Sequence, residues 1–228
     1  MAMQLDQVVP FGRSFDEYVR MFLLSEADLQ CSILSVADGP ASFNAEGMER
    51  GYRIQSCDPL YAFGADEIKV RFNAVVDGII EQVENTADSW VWSYHASPAA
   101  LKAHRVEVME RFCEDYEQGR QEGRYRVGAL PKLDYADACY DIGLSSHFLF
   151  LYSEQLDLDF HVGAIADMLR ICKEVRIFPL LTLAQKRSPY VASVMAQLKQ
   201  AGYETRIETV DYELQLGGNE MLRICRVD

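Results

Sequence analysis

SILSVADGPASF, residues 32–43, is the stretch on which the fold turns. SILSVA (32–37) is a short apolar run of the kind that fills a buried strand, ending in DGPAS, and the turn after it reads Ala37-Asp38-Gly39-Pro40-Ala41-Ser42, small and turn-forming residues. A helical pattern begins near Phe43. Strand, small-residue turn and helix in this order open a unit of parallel sheet. Small side chains at 37, 39 and 41 let a ligand approach the backbone, and Gly39 is free to adopt a positive φ. The amides at the start of the next helix suit a carboxylate or a phosphate.

The same alternation continues on both sides. Upstream, Ser14 and Glu17 make a capping-box pattern, and Phe15, Tyr18, Val19 and Phe22 give an apolar helical stripe. Downstream, YRIQSC (52–57) reads as a second strand ending at Asp58-Pro59. RYRVGA (124–129), YDIGLSS (140–146) and EVRIFPLL (174–181) are further strands, with helices over 160–172 and 190–201. At the end, TRIETVDYELQL (205–216) meets NEMLRICRV (219–227) across Gly217-Gly218, a hairpin signal. The expected class is α/β: a Rossmann-like, mostly parallel sheet finished by a C-terminal antiparallel hairpin. About 65 residues separate the second and third strands, far more than an ordinary connection. Residues 65–87 and 98–119 look helical, and Trp90, Trp92, Tyr94 and His95 lie between them. The expectation is one domain over 1–228 with a helical insertion after the second strand, at about 60–122. That insertion is either a lid or a cover for the sheet.

Composition narrows the class of function. With 228 residues, 49% hydrophobic and 25% charged, the chain suits a globular domain. It has no apolar run of the roughly 18–20 residues that cross a bilayer, and its N-terminus lacks the basic-then-apolar pattern of a signal peptide. A cytoplasmic location is expected. A net charge of −13 argues against a nucleic-acid partner. The six cysteines are scattered without metal spacing, and His95, His104 and His161 form no ligand pattern, so no metal is expected.

Asp58 stands about twenty residues after the small-residue turn. An acid at the end of the second strand accepts hydrogen bonds from both hydroxyls of a ribose. Turn and acid together point to an adenosine-containing ligand. A nicotinamide oxidoreductase uses the same geometry, but GxGxxG is absent, as is the phosphate loop GxxxxGK[ST].

ILSVADGPASF, the following Asp58 and LPKLDYADACYDIGLSSHFLFLYS together resemble the class I S-adenosylmethionine-dependent methyltransferases, over nearly the whole chain from about residue 14. SFDEYVRMF, SSHFLFLYS and EVRIFPLL look like a group of bacterial methyltransferase-like proteins. The resemblance implies that Ala37, Asp38, Gly39 and Pro40 wrap the methionine end of S-adenosylmethionine, with Tyr18 and Arg13 closing over it. Asp58, beside Pro59, would hold the ribose. Gly128, Ala129 and Leu130, and then Ser145, Ser146 and His147, would lie near the adenine and the sulfonium. The chain departs from the family pattern at Ser35, where an acid is common, at Ala37 and Ala41, where glycines are usual, and near Val127, where an acid is missing.

Methyl transfer asks chiefly for alignment of the acceptor with the methyl group, and for a base only where the acceptor loses a proton. His147, after the fourth strand, is the candidate base, with a structural histidine as the alternative. Neither [DN]PP[YFW] nor a Pro-Cys pair is present, which removes the usual devices for methylating a base. The expected function is methyl transfer to a small-molecule acceptor, with a homodimer possible through the insertion. A non-catalytic binding protein on the same scaffold stays open beside it.

Overall fold

The computed structural model describes residues 9–226. Residues 1–8 of the N-terminal stretch read for a leader, and Val227 and Asp228 beyond the last strand, lie outside them. Seven strands form one sheet: β1 (Ser32–Val36), β2 (Arg53–Cys57), β3 (Tyr125–Arg126), β4 (Tyr140–Ser146), β5 (Cys172–Phe178), β6 (Tyr203–Thr209) and β7 (Glu220–Arg226). Their order is β3-β2-β1-β4-β5-β7-β6. The first five run parallel, and β7 joins β5 and β6 antiparallel. This is the class I methyltransferase arrangement.

Helices α1 (Phe15–Met21), α2 (Glu26–Leu29), α3 (Phe43–Glu49), α4 (Ala65–Glu84), α5 (Pro98–Gln121), α6 (Leu158–Ile171) and α7 (Val191–Gln200) accompany the sheet among the described residues. Strand alternation divides the core in two. Ile33 and Ile142 face the layer of α1, α3, α4 and α5, while Leu34, Val36, Val175 and Ile177 face α6 and α7. Ser35 is turned toward α1, where its hydroxyl meets the Tyr18 hydroxyl at 3.3 Å.

The long connection between β2 and β3 is a packed cover. Helix α4 buries Ile68, Phe72, Val76, Ile79, Ile80 and Val83, and α5 buries Leu101, Val108, Met109, Phe112 and Tyr116. Each large side chain removed from water there contributes about 1.5–3 kcal/mol. Ser97 caps α5 by accepting from the Ala100 amide at 3.1 Å, with Pro98 at the first helical position. Tyr116 of α5 donates to the carbonyls of Tyr61 and Phe63, which fixes the loop that follows β2.

Two expectations need correction. The third strand pairs only at Tyr125 and Arg126, because Ser56 and Cys57 are the last residues of β2 beside it. The terminal hairpin does not turn at Gly217-Gly218: Thr209 pairs with Glu220, and residues 210–219 form the connection. Val210, Tyr212 and Leu214 bury their side chains in the core under this connection. A period of two in VDYEL therefore marks a loop that dips into the core, not more strand.

Candidate functional site

The strand order reverses between β1 and β4, so the connections after them diverge and leave a crevice at the carboxyl edge of the sheet. A cleft of about 260 Å³ lies there. The chain leaves β1 through two left-handed residues, Ala37 and Gly39, both at φ +55°. For Ala37 this conformation costs roughly 1–2 kcal/mol. A Cβ placed on Gly39 would meet nothing within 4 Å, so the backbone here borders open space.

Two buried acids tie this turn to the end of β2. Asp58 accepts from the Gly39 amide at 2.9 Å through one oxygen and from the Leu60 amide at 2.7 Å through the other. Asp38 accepts from the Ser56 hydroxyl at 2.7 Å and the Tyr61 hydroxyl at 2.8 Å. Burial lifts the Asp58 carboxyl to about 6 against its two backbone hydrogen bonds. It lifts Asp38 to about 7, with the Asp58 charge adding to the effect. Each Asp58 oxygen keeps a lone pair beyond the one used, which is what a ribose diol requires.

On the far side of the cleft stand Tyr18, Ser146 and His147. Tyr18 is fully buried and stacks on Phe43 with ring centroids 4.2 Å apart. His147 has φ +53° and donates its amide to the Phe178 carbonyl at 2.7 Å. Its Nδ1 lies 2.9 Å from the Ser146 hydroxyl, which also reaches the Met21 sulfur at 3.9 Å. In the tautomer whose Nδ1–H donates to Ser146, the Nε2 lone pair is free. Burial, reinforced by the charges of Arg13 and Arg105, holds the imidazole well below its usual value, so it is neutral.

The segment Val9 to Arg13 roofs the cleft. Gly12 is pressed on the turn: a Cβ there would stand 2.1 Å from the Pro40 carbonyl oxygen. The Ser42 amide donates to the Arg13 carbonyl at 3.1 Å. Val9, Pro10, Phe11, Leu60 and Phe63 were not singled out from the sequence. Val9, Pro10 and Phe11 precede the first helical pattern and carry no motif; the Gly12 contact with Pro40, the Val9 amide on the Tyr152 hydroxyl and the Phe11–Phe72 stack place them.

A second, apolar chamber of about 80 Å³ adjoins the cleft. Val9, Phe11, Arg13 and His147 line both spaces, and the chamber adds Ile79, Val83, Trp90, Leu101, Leu151, Tyr152, Leu183, Leu214 and Gln215. The packed connection between β2 and β3 thus also forms one wall of the site.

Beneath the two spaces lies a buried ion cluster. Arg105 binds both oxygens of Glu17, which also accepts from the Tyr212 hydroxyl at 2.7 Å and the Ser14 amide at 2.9 Å. Burial alone would raise the Glu17 carboxyl, but Arg105 holds it well below the usual range. Glu17, His95 and His104 come within metal-ligating distance of one another. The guanidinium already seated on both Glu17 oxygens makes this donor set a poor fit for a cation.

Tyr18, Ala37, Asp38, Gly39, Asp58, Pro59, Ser146 and His147 therefore meet at one cleft. Pro40 is buried under Gly12, and Ser145, one residue before Ser146, faces the opposite side of the sheet with its hydroxyl unpartnered. Ala129 bridges to Lys132, and Leu130 is buried against the layer of α6 and α7. These four do not line the cleft.

No family model matches the chain. The uncharacterized protein MJ0045 of Methanocaldococcus jannaschii is 36% identical over 225 residues, 98% of this chain and 99% of that one. Among solved structures, the mitomycin 7-O-methyltransferase MmcR superposes with a TM-score of 0.50 at 12% identity, over 93% of this chain and 54% of its own. The magnesium protoporphyrin IX methyltransferase of Synechocystis PCC 6803, solved with bound S-adenosylmethionine, gives 0.46 at 10% identity over 89% and 73%. The chain belongs to one family with MJ0045 of Methanocaldococcus jannaschii, and that family is built on the class I S-adenosylmethionine-dependent methyltransferase fold.

Proposed function

We propose that the protein transfers a methyl group from S-adenosylmethionine to a small-molecule acceptor. One observation carries this reading: a cleft bordered by the open backbone at Gly39 and by Asp58 joins an apolar chamber, with Arg13 and His147 where they meet. The residues fit the cofactor. Asp58 has spare acceptor capacity for the ribose, Leu60 and Phe63 offer an apolar wall for the base, and Ala37 to Gly39 leave room beside their backbone for the amino-acid end.

When bound, S-adenosylmethionine supplies an electrophilic methyl carbon on a sulfonium. The rest is done by the chain. The chamber aligns an acceptor oxygen or nitrogen with the cleft, which supplies most of what such a displacement needs. The acceptor's lone pair would take that methyl group, leaving the cofactor as the neutral thioether. The acceptor's proton passes to Nε2 of His147, whose Nδ1–H is held by Ser146. The apolar walls keep bulk water from competing.

Residues 9–226 are read as one domain, because α4 and α5 share a core with α1, α3 and the sheet. No helix among the described residues is long and apolar enough to cross a membrane.

The test is incubation with methyl-labelled S-adenosylmethionine and a panel of small hydroxy and amino compounds. Labelled product is expected with the natural protein, Asp58→Ala should need a higher S-adenosylmethionine concentration by the equivalent of about 1–3 kcal/mol, and turnover falls by about 10²–10⁴-fold in His147→Ala. Undiminished turnover in His147→Ala removes the base. No labelled product from any acceptor, despite tight cofactor binding, supports a binding protein instead.

A further inference from the structure

Arg13 lines both the cleft and the chamber, and the proton transfer described above does not use it. Its side chain is nine-tenths buried. One terminal nitrogen donates to the Phe11 and Gly12 carbonyls, while Nε has no partner. The nearest acid, Glu17, is 4.0 Å from that Nε and is already neutralised by Arg105. His95 and His147 are both pushed down by burial and add no positive charge. Counting Arg13, Arg105 and Glu17 leaves one positive charge, under a roof of Val9 and Phe11, facing the chamber. A second unpartnered polar atom belongs to the chamber lining. Gln215 lines the chamber, is 8% exposed, and its Oε1 is buried without a partner. Gln215 does not line the cleft. The remaining wall is Ile79, Val83, Trp90, Leu101 and Leu214 with their neighbours, which offers an apolar body and no counter-ion.

Resting on the methyltransferase reading, we propose that the acceptor is a compact 2-hydroxy or 2-amino acid with an apolar tail, its carboxylate held by Arg13 and Gln215 and its hydroxyl or amino group left as the nucleophile whose proton passes to His147. A buried guanidinium beside a second one is costly unless an anion reaches it, and a carboxylate matches its fork. The Gln215 amide nitrogen is a further donor to the same anion, and its orphaned oxygen accepts from a hydroxyl or the protonated acid. The size limit follows from the volume. A cavity of about 80 Å³ is smaller than the roughly 150 Å³ that admits benzene, so branched aliphatic acids suit it better than fused rings.

The test uses the full chain and two isosteric probes, isovalerate and isovaleramide, titrated by calorimetry and by tryptophan fluorescence, since Trp90 lines the chamber. Titrations are run with and without saturating S-adenosylhomocysteine. Isovalerate is expected to bind at least about tenfold more tightly than the amide, as for a charge-assisted pair. Arg13→Gln should remove that preference, and Leu101→Trp should fill the chamber and abolish binding of both probes while S-adenosylhomocysteine still binds. Equal affinity for acid and amide, or no binding of either, overturns the proposal. So does an Arg13→Gln protein that keeps the preference but loses S-adenosylhomocysteine, because the charge then serves the cofactor's own carboxylate. If S-adenosylhomocysteine fails to bind anywhere, the methyltransferase reading falls, and the acid–amide comparison without it still decides the chamber.

Discussion

Asp58 and Gly39 carry the most exposed predictions at the scale of single residues. Ribose hydroxyls donate to an ionised carboxylate, and Asp58 ionises only near pH 6. Affinity for S-adenosylhomocysteine should therefore rise with pH through about 6 and level off above it, falling up to about tenfold per unit below. Asp58→Ala should cost about 1–3 kcal/mol of binding at pH 8, and calorimetry across pH checks both. The effect on folding has the opposite sign. Asp38 and Asp58 hold protons more tightly when folded, at about 7 and about 6, than when unfolded, near 3.8. Their contribution to stability is present in full below about pH 4 and is lost as pH rises toward 7. Asp38→Asn should accordingly raise the melting temperature at pH 8 and not at pH 4. For Gly39, a side chain would project into the open space of the cleft. Gly39→Val should fold, with a loss of about 1–2 kcal/mol for a branched residue at positive φ, and should no longer bind S-adenosylhomocysteine. Binding retained by that variant would move the cofactor off the turn.

Among the elements, α1 and α5 depend on each other through Glu17 and Arg105. The sequence shows Glu17 as half of a capping box with Ser14, and that bond forms: the Ser14 amide donates to Glu17 at 2.9 Å. It gives no sign that the same carboxylate sits fully buried on a guanidinium 88 residues away. Arg105 lies in PAALKAHRVEVMERFCEDYEQGRQ, where charges surround the helix, and nothing in that pattern separates a buried arginine from a solvated one. Arg105→Met should destabilise the protein by about 3–5 kcal/mol, since it strands a buried carboxylate. Adding Glu17→Gln should recover much of the loss, and chemical denaturation of the two variants measures the coupling. The hairpin is the converse case. Its strands are legible, but the alternation through Val210, Tyr212 and Leu214 continues past the last sheet pair, because core contacts and sheet faces produce the same period.

For the whole molecule, the parallel sheet is legible because β1, β2, β4 and β5 are short apolar runs separated by helical ones, and nearest neighbours in such chains pair in few ways. The turn at 37–39 and Asp58 could be found because close backbone approach and ribose binding demand particular residues at particular strand ends. The chamber was not legible. Its lining comes from the N-terminal segment, α4, α5 and the connections after β4, β5 and β6, and only folding brings these together. Arg13 shows the difference: its place near the cofactor end was expected from the sequence, whereas its buried, unneutralised charge is a property of the packed molecule.

Calorimetric titration of the full chain with S-adenosylhomocysteine at pH 8, with NADH in parallel, tests cofactor use most directly. A dissociation constant on the order of micromolar for S-adenosylhomocysteine, and no heat with NADH, is the expected result. Absence of S-adenosylhomocysteine binding, or tighter binding of NADH, would contradict it.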